Sequence, residues 1–167
     1  MATAKNKILD RQQVLQKIKR IAFEIYEQNY LEEAIYLAGI PQDGYAFAEM
    51  LRTELKNITD IPVELIKINV DKKNLMKEIT LDKAADSLTD KTIIIVDDVM
   101  NTGKTFFYAL QPFMTVPLKK LQTAVLVNRS HTVYPVAVNF SGYELSTVLS
   151  EHIEVDLTKD KESVYLF

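Results

Sequence analysis

Two adjacent carboxylates follow a continuous apolar run near the middle of the chain. Residues 93–96 are Ile-Ile-Ile-Val, Asp97 and Asp98 come next, and Thr-Gly-Lys-Thr occupies residues 102–105. Amides, two hydroxyls and a cation at the start of a predicted helix favour the binding of a phosphate, and Gly103 lets the backbone approach it closely. Neighbouring carboxylates accept hydrogen bonds well from vicinal hydroxyls. The segment therefore fits a ribose 5-phosphate, with the diol on the carboxylates and the phosphate on residues 102–105.

Two other interpretations of this segment have different consequences. In the first, Asp97 and Asp98 cap the turn that follows them and Lys104 is a solvated surface residue, but the length of the whole pattern argues against it. In the second, Gly-Lys-Thr ends the phosphate loop of a nucleoside triphosphatase, whose motif requires another glycine about five residues before the last one. Asp98 occupies that position, so the sequence argues against this class.

The composition is that of a globular protein with few metal-binding or redox residues. Of 167 residues, 47% are hydrophobic and 26% are charged, and a net charge of −3 argues against a surface that is basic throughout and binds nucleic acid. The absence of cysteine excludes disulfides, zinc–thiolate sites, iron–sulfur clusters and a cysteine nucleophile. The two histidines, His131 and His152, disfavour a histidine-rich metal site. Residues 1–10 lack the apolar core of an export signal, and no apolar run reaches the roughly 18 residues of a membrane span, so we expect a cytoplasmic protein without a membrane partner.

Apolar periodicity predicts alternating helices and strands in one domain that spans residues 1–167. Asp10 is a good N-cap for a first helix that ends near Asn29, and residues 92–96 have the composition of a central strand buried on both faces. The polar segment 71–91 is long for a loop, so we expect it to be a lid or to contain a hairpin or short helix. The other predicted elements are strands at 34–38, 63–70 and 123–127, helices at 47–55 and 102–114, and weaker strands at 136–140, 153–157 and 164–167. This order predicts an α/β fold with a mostly parallel sheet.

Residues 93–105 resemble the motif by which type I phosphoribosyltransferases bind 5-phosphoribosyl 1-diphosphate (PRPP). That motif is a hydrophobic strand, two acidic residues, two mostly apolar residues, a variable residue and then Thr-Gly-Lys/Arg-Thr. The resemblance implies a central, mostly parallel sheet flanked by helices, with a small hood and a long flexible loop. It implies that Asp97 and Asp98 are catalytic, binding the ribose 2- and 3-hydroxyls, and that Mg²⁺ enters on PRPP rather than on a metal site of the protein. The PRPP- and nucleotide-binding set that it implies is Asp97, Asp98, Val99, Met100, Asn101, Thr102, Gly103, Lys104, Thr105 and Arg129.

Other segments are similar to one branch of that family, the bacterial pyrimidine operon regulators, which are also uracil phosphoribosyltransferases. Ile8-Leu9-Asp10 and Arg20-Ile21-Ala22 resemble their opening helix, and Asn128-Arg129-Ser130-His131 resembles their Asp-Arg-Gly-His loop. The resemblance implies transfer of the phosphoribosyl group to a nucleobase, uracil being favoured, with formation of a nucleoside 5-monophosphate and pyrophosphate. Arg129 then lies near the nucleotide or base, or alternatively in a surface salt bridge. We do not expect His131 to be a general base.

Members of that branch bind messenger RNA through a basic face and form dimers or larger assemblies. The candidate basic residues here, Lys17, Lys19 and Arg20, are close in sequence to Glu24 and Glu27, and no long basic run occurs. RNA binding therefore ranks below catalysis, and the resemblance leads us to expect a homodimer or larger homo-oligomer.

The loop after the first long predicted strand departs from the family. The Gly-Ile-Lys-Thr-Arg-Gly that holds pyrophosphate in the family is Gly39-Ile40-Pro41-Gln42-Asp43-Gly44 here, so two cations are lost and a carboxylate is added. Lys72 and Lys73 stand in the family's Tyr-Arg-Asp-Asp segment and either offset part of this loss or are merely solvated. Asn101 stands where purine-type relatives have an acid/base Asp and uracil-type relatives have Tyr or Phe. These changes leave a nucleotide-sensing or RNA-binding regulator with weak turnover as the alternative to an enzyme.

Overall fold

The computed structural model describes residues 4–167, which form two β-sheets and three α-helices. The strands are β1 (Asn6–Leu9), β2 (Ile35–Gly39), β3 (Val63–Asn69), β4 (Thr80–Leu81), β5 (Thr92–Met100), β6 (Lys120–Asn128), β7 (Phe140–Glu144), β8 (Ile153–Asp156) and β9 (Ser163–Leu166). The helices are α1 (Arg11–Asn29), α2 (Asp43–Ile58) and α3 (Lys104–Ala109), with 3₁₀ turns at Ala85–Leu88 and Gln111–Thr115. Within the described residues, no helix is both long enough and apolar enough to cross a membrane.

The larger sheet has the strand order β4-β3-β2-β5-β6-β7, and every neighbouring pair is parallel except β3 with β4. The predicted α/β fold with a mostly parallel sheet is therefore confirmed. β5 lies between β2 and β6, with Val96 opposite Gly39 on one side and Ala124 on the other. Residues 92–97 of β5 are all buried, which confirms the central strand predicted from its β-branched run.

Apolar layers cover both faces of the larger sheet. Ile94 and Val96 belong to the layer under α1 and α2, whereas Ile93 and Ile95 belong to the opposite layer under α3, because successive side chains of a strand point to opposite faces. The predicted apolar stripe of α1 is buried in the first layer and consists of Val14, Ile18, Ile21 and Ile25. The alternation in one strand thus fixes where helices can pack on both sides.

A second, three-stranded sheet has the order β1-β9-β8, and both of its pairs are antiparallel. It lies beside the carboxyl end of β5, because Ile153 of β8 lines the same cavity as residues 97–106. This sheet corresponds to the small hood that the family resemblance implies. The sequence pattern does not predict β1, since its four residues include the exposed Asn6 and Lys7 and their partner is the distant β9.

The predicted helix at residues 102–114 is wrong in its extent. α3 ends at Ala109, and Gln111–Thr115 forms a separate 3₁₀ turn. Pro112 explains the break, since a proline ring has no N–H for the α-helical hydrogen bond and clashes with the preceding turn. Pro112, and not the expected Pro117, therefore ends the helix.

Three further segments differ from the prediction or refine it. The strand predicted at 136–140 is wrong, because β7 begins at Phe140 and the Asn139 side chain accepts the hydrogen bond of Thr123 N (2.9 Å) in place of a ladder partner. β5 continues to Met100 instead of ending at residue 96, because β6 runs on beside it. The segment 71–91 contains β4 and the turn Ala85–Leu88, in agreement with the expected hairpin or short helix.

Asp10→Ala should destabilise the fold by about 0.5–2 kcal/mol. The Asp10 carboxylate accepts from Gln13 N (2.9 Å), and the Gln13 side chain accepts from Asp10 N (2.9 Å), so the predicted cap of α1 is present. Urea unfolding followed by circular dichroism measures the free energy of unfolding. Asp60→Ala is the matched control, because Asp60 is an exposed aspartate between α2 and β3 and should change that free energy by less than about 0.5 kcal/mol. Equal losses in the two variants would contradict a role for the cap.

Candidate functional site

A cavity of about 210 Å³ opens at the carboxyl end of β5. Its wall is one continuous stretch of chain, residues 97–106, completed by Lys72 and Ile153. Ligands of open parallel sheets bind beyond the carboxyl ends of the strands, and the pairing of β5 with β2 and β6 fixes this place in the fold. The residues predicted from Asp97 to Thr105 therefore all line a single cavity.

Asp97 is the buried member of the acidic pair. Its side chain is 6% exposed, its Oδ1 accepts from Asp98 N (3.0 Å), and Lys72 Nζ lies 3.7 Å from the same oxygen. Burial raises the pKa of Asp97, the charge of Asp98 raises this pKa further, and Lys72 opposes both effects. Asp98 is half-buried in the cavity wall. The pair therefore offers carboxylate oxygens that can accept hydrogen bonds from vicinal hydroxyls.

Gly44 allows the start of α2 to lie against Asp97. A Cβ atom on Gly44 would come 2.7 Å from Asp97 Oδ1 and 2.7 Å from Val96 O, and the carbonyl oxygen could yield only if the backbone of β5 moved. Ile40 N also donates to Val96 O (2.9 Å). The loop of residues 40–44 is therefore fixed beside the carboxyl end of β5.

The altered loop forms a second, shallower groove next to the cavity. The groove has a volume of about 570 Å³ and is lined by Pro41, Gln42, Asp43, Val70, Asp71, Lys72 and Lys73. Lys72 borders both the groove and the cavity. α2 begins in the groove, and the positive end of its dipole favours an anion there. The structure thus brings together the residues predicted for pyrophosphate, except Ile40 and Gly44, which are buried.

Asp43 places a carboxyl group in this groove among other acids. Burial raises the pKa of Asp43 and the charge of Asp98 raises it further, while Lys72 lowers it and Asp156 of β8 adds to the rise. Lys72 and Lys73 are the cations that line the groove. An anion in the groove would therefore be attracted by the lysines and the α2 N-terminus and repelled by Asp43.

The loop of residues 102–105 turns sharply at a glycine between β5 and α3. Gly103 has φ +84°, in the left-handed region that favours glycine. Lys104 N donates to Thr102 Oγ1 (3.3 Å). From outside, the amides of Val133 and Tyr134 donate to Thr102 O (2.8 and 3.0 Å). The loop is held in place by these contacts, and its residues border the cavity.

Arg129 lies behind the cavity wall and does not line the cavity. Its side chain donates to Asn101 Oδ1 (2.9 Å), to Thr147 Oγ1 (2.8 Å) and to the backbone oxygen of Glu151 (2.7 Å). The alternative of a surface salt bridge is wrong, because Arg129 is 8% exposed and these acceptors are uncharged. Arg129 therefore acts on the cavity through its hydrogen-bond partners, Asn101 and the loop of residues 147–151.

Two residues around the site are not predicted by the sequence pattern. Thr147 is buried, and its backbone oxygen and hydroxyl both contact Nε2 of His131, so that His131 fixes the loop after β7. Ile153 supplies an apolar patch to the cavity. A strand is predicted at Ile153, but nothing in the pattern places that strand beside Asp97, since only the second sheet brings them together.

The known proteins that are similar in sequence to this chain point to one family. The family described as Phosphoribosyl transferase domain matches residues 5–158. A Fusobacterium nucleatum protein named Bifunctional protein PyrR is 34% identical over 95% of this chain and 96% of its own length. A protein of the same name from Clostridium beijerinckii is 32% identical over 98% of this chain and 97% of its own length. The solved HGPRT-ase of Leishmania tarentolae in complex with GMP shares the fold, with a TM-score of 0.77 and 16% identity over 100% of this chain and 99% of that one.

Asp97→Asn should stabilise the ligand-free protein at pH 7 and weaken its binding of ribose 5-phosphate. Because the pKa of Asp97 is raised in the folded state, the folded protein binds this proton more tightly than the unfolded chain, and stability falls as the pH rises through the raised pKa. The asparagine carries no charge, so the variant does not lose stability in this way. At pH 7 its Tm should therefore exceed that of the wild type, by roughly 2–4 °C for each kcal/mol of unfolding free energy regained. The two Tm values should converge below about pH 4, where the aspartate is protonated in both states. Loss of a charged acceptor should weaken the binding of ribose 5-phosphate by about 1.5–3 kcal/mol.

Asp98→Asn is the matched control, because Asp98 is only half-buried. This variant should weaken the binding of ribose 5-phosphate as well, with a smaller gain in the stability of the fold. Scanning calorimetry at several pH values gives the Tm, and isothermal titration gives the affinity. If Asp97→Asn lowered the Tm at pH 7 and left the affinity unchanged, Asp97 would be a structural cap.

Proposed function

Since the chain belongs to the phosphoribosyl transferase domain family, we propose that it transfers the 5-phosphoribosyl group of PRPP to a nucleobase, with uracil favoured. The products are a nucleoside 5-monophosphate and pyrophosphate, and residues 1–167 act as a single catalytic domain. Uracil is favoured because residues 8–10, 20–22 and 128–131 resemble segments of uracil-transferring relatives.

The observation that carries this proposal is the cavity shared by Asp97, Asp98 and residues 102–105. A ribose 5-phosphate carries a diol and a phosphate on one small ring, and the cavity offers carboxylates for the diol and an anion-binding turn for the phosphate. The groove of residues 41–43 and 70–73 adjoins the cavity at Lys72. A diphosphate on the ribose C1 fits this groove.

The reaction requires mainly positioning and electrostatic stabilisation from the protein. Cleavage of the bond between C1 and the diphosphate places positive charge on the ribose ring and negative charge on the leaving group. Asp97 and Asp98 hold the ring by its hydroxyls and face its positive charge, while Lys72 and Lys73 face the leaving group. Within residues 71–91, the part from 72 to 78 begins at the groove and closes over the site, which excludes the water that would hydrolyse PRPP. The rest is held in the fold, because β4 pairs with β3 and Leu88 is buried.

A bound Mg²⁺ would neutralise part of the negative charge of the diphosphate. This ion takes oxygen ligands and is usually held by one or two carboxylates together with substrate phosphates. In the part of the chain that the structure describes, no three acidic or histidine side chains converge as a metal cage. Asp98 is half-buried in the cavity wall, so the residues present fit a metal that arrives with PRPP and is shared with the substrate.

A second candidate function, a nucleotide sensor with weak turnover, is favoured by Asp43. A nucleoside monophosphate uses only the cavity, whereas the leaving diphosphate must lie in the groove that Asp43 lines. Asp43 therefore opposes turnover more than it opposes monophosphate binding.

RNA binding ranks below both candidates. Arg20, the central basic residue of α1, pairs with Glu24 (2.7 Å) and donates to the backbone oxygen of Gly142, so its charge is already engaged. Lys17 lies over the ring of Tyr143 (5.1 Å). The homo-oligomer and the cytoplasmic location expected from the sequence stay predictions.

Isothermal titration with PRPP and Mg²⁺, followed by a screen of radiolabelled bases that begins with uracil, tests the proposed function. Binding of PRPP and transfer to a base would support the enzyme. Binding of UMP and PRPP without transfer to any base would support the sensor. Failure to bind either PRPP or UMP would contradict both.

The double variant Pro41→Lys with Asp43→Arg should raise turnover by about 10²–10³-fold. It returns two cations to the groove, where negative charge collects on the leaving diphosphate, and removes one carboxylate. The affinity for UMP should change much less, because UMP carries no diphosphate. Steady-state transfer assays and titrations with pyrophosphate and UMP measure these effects.

The matched control is Asp60→Arg with Pro62→Lys, which makes the same charge change in the loop between α2 and β3. It should leave turnover unchanged. If the Pro41/Asp43 variant gained neither turnover nor affinity for pyrophosphate, the groove would not be the pyrophosphate site. A wild type already as fast as this variant would rule out the sensor.

A further inference from the structure

Asn101 carries the single side-chain amide among the residues that line the cavity in the described part of the chain. Its Oδ1 accepts from Arg129 Nη1 (2.9 Å), and the side chain is otherwise exposed to the cavity. Within residues 4–167, its Nδ2 group donates to no acceptor. The amide is therefore held at one end and open at the other.

The guanidinium determines which end of the amide is open. All N–H groups of an arginine side chain are donors and none can accept, so the amide must turn its oxygen toward Arg129 and its NH₂ group away. Arg129 is itself held by Thr147 Oγ1 and by the backbone oxygens of Val148 and Glu151, all of them uncharged. Its charge therefore polarises the amide and strengthens the N–H groups as donors. Asn101 faces the cavity as a fixed hydrogen-bond donor.

The space that a ribose 5-phosphate leaves in the cavity lies next to Asn101. With the diol on Asp97 and Asp98 and the phosphate on residues 102–105, the remaining wall is Lys72, Val99, Met100, Asn101, Phe106 and Ile153. Met100 and Phe106 are 1% and 2% exposed and offer little surface. A planar base needs an apolar contact for its face and a polar contact for its edge, which Ile153 and Asn101 supply.

Arg129 connects these two contacts. It holds Asn101 directly, and it holds the loop of residues 147–151, which leads into Ile153. Loss of the guanidinium would therefore free the amide to rotate and would loosen the apolar side of the same space.

We propose that Asn101 takes part in base recognition by donating from Nδ2 to a carbonyl oxygen or an unprotonated ring nitrogen of the nucleobase. Arg129 is the positioning residue that sets this polarity. The inference rests on the proposed function and adds to it the chemistry of base recognition. An orientation that turns an N–H group of the base toward Asn101 is disfavoured, since two donors then face each other. The carbonyl oxygens of uracil satisfy the requirement.

Asn101→Leu tests this role, because leucine has a similar size and no donor. Isothermal titration with UMP and with ribose 5-phosphate separates contacts to the base from contacts to the sugar phosphate. We expect the affinity for UMP to fall by about 3- to 10-fold and the affinity for ribose 5-phosphate to stay within about twofold. Asn69→Leu is the matched control, since Asn69 lies at the end of β3 outside the cavity wall, and both affinities should stay unchanged in it.

A double-mutant cycle tests whether Arg129 acts through Asn101. Arg129→Lys should weaken the binding of UMP selectively, and in Asn101→Leu with Arg129→Lys the loss of UMP affinity should be smaller than the sum of the two single losses, because the part that passes through Asn101 is already absent. A purely structural arginine would give additive losses. If Arg129→Lys does not fold, Thr147→Val can replace it in the same cycle, because this change removes a hydroxyl that accepts two hydrogen bonds from the guanidinium.

The outcomes separate this inference from the function on which it rests. If the wild type bound neither ligand, the proposed function would fail and this inference with it. If both ligands bound and Asn101→Leu left UMP affinity unchanged, only the role of Asn101 would be overturned. Equal losses for UMP and ribose 5-phosphate would assign Asn101 to the phosphate and also overturn its role in base recognition.

Discussion

The pairing of β5 between β2 and β6 is the constraint on which the rest of the site depends. It carries the central strand beyond its apolar run, so that Asp97 continues the ladder opposite Val125 while its side chain is 6% exposed. A buried carboxylate costs free energy unless a cation and hydrogen-bond donors compensate it. Lys72 and the Asp98 amide compensate part of this cost, and Gly44 leaves room for the carboxylate. The hydroxyls of a ribose would supply further donors, so the same burial that disfavours the free protein favours ligand binding.

Charge is distributed differently at the two ends of the site. Residues 102–105 contain a lysine and no carboxylate, which favours an anion. The groove contains two lysines and two aspartates, Asp43 and Asp71, along its wall. The cavity and the groove therefore differ in charge, and Lys72 borders both. Under the proposed function, the groove decides between enzyme and sensor, and the cavity selects the ligand.

The parts of the fold that follow from local pattern could be predicted from the sequence. The stripe of α1, its Asp10 cap and the β-branched run of β5 have one dominant interpretation each, and the motif of residues 93–105 is long enough to predict one cavity. Non-local contacts could not be predicted. β1 pairs with β9 from the far end of the chain, Ile153 reaches the cavity through that sheet, and Arg129 is buried by a loop eighteen residues later at Thr147. The early end of α3 could have been predicted, since Pro112 is present in the sequence.

A crystal structure of the complex with UMP is the most direct test of the claim that this cavity holds a ribose 5-phosphate. We expect the phosphate within about 3.2 Å of amides in residues 103–105 and the ribose hydroxyls within hydrogen-bond distance of Asp97 and Asp98. A phosphate bound at another strand end, or a ribose turned away from both carboxylates, would contradict it.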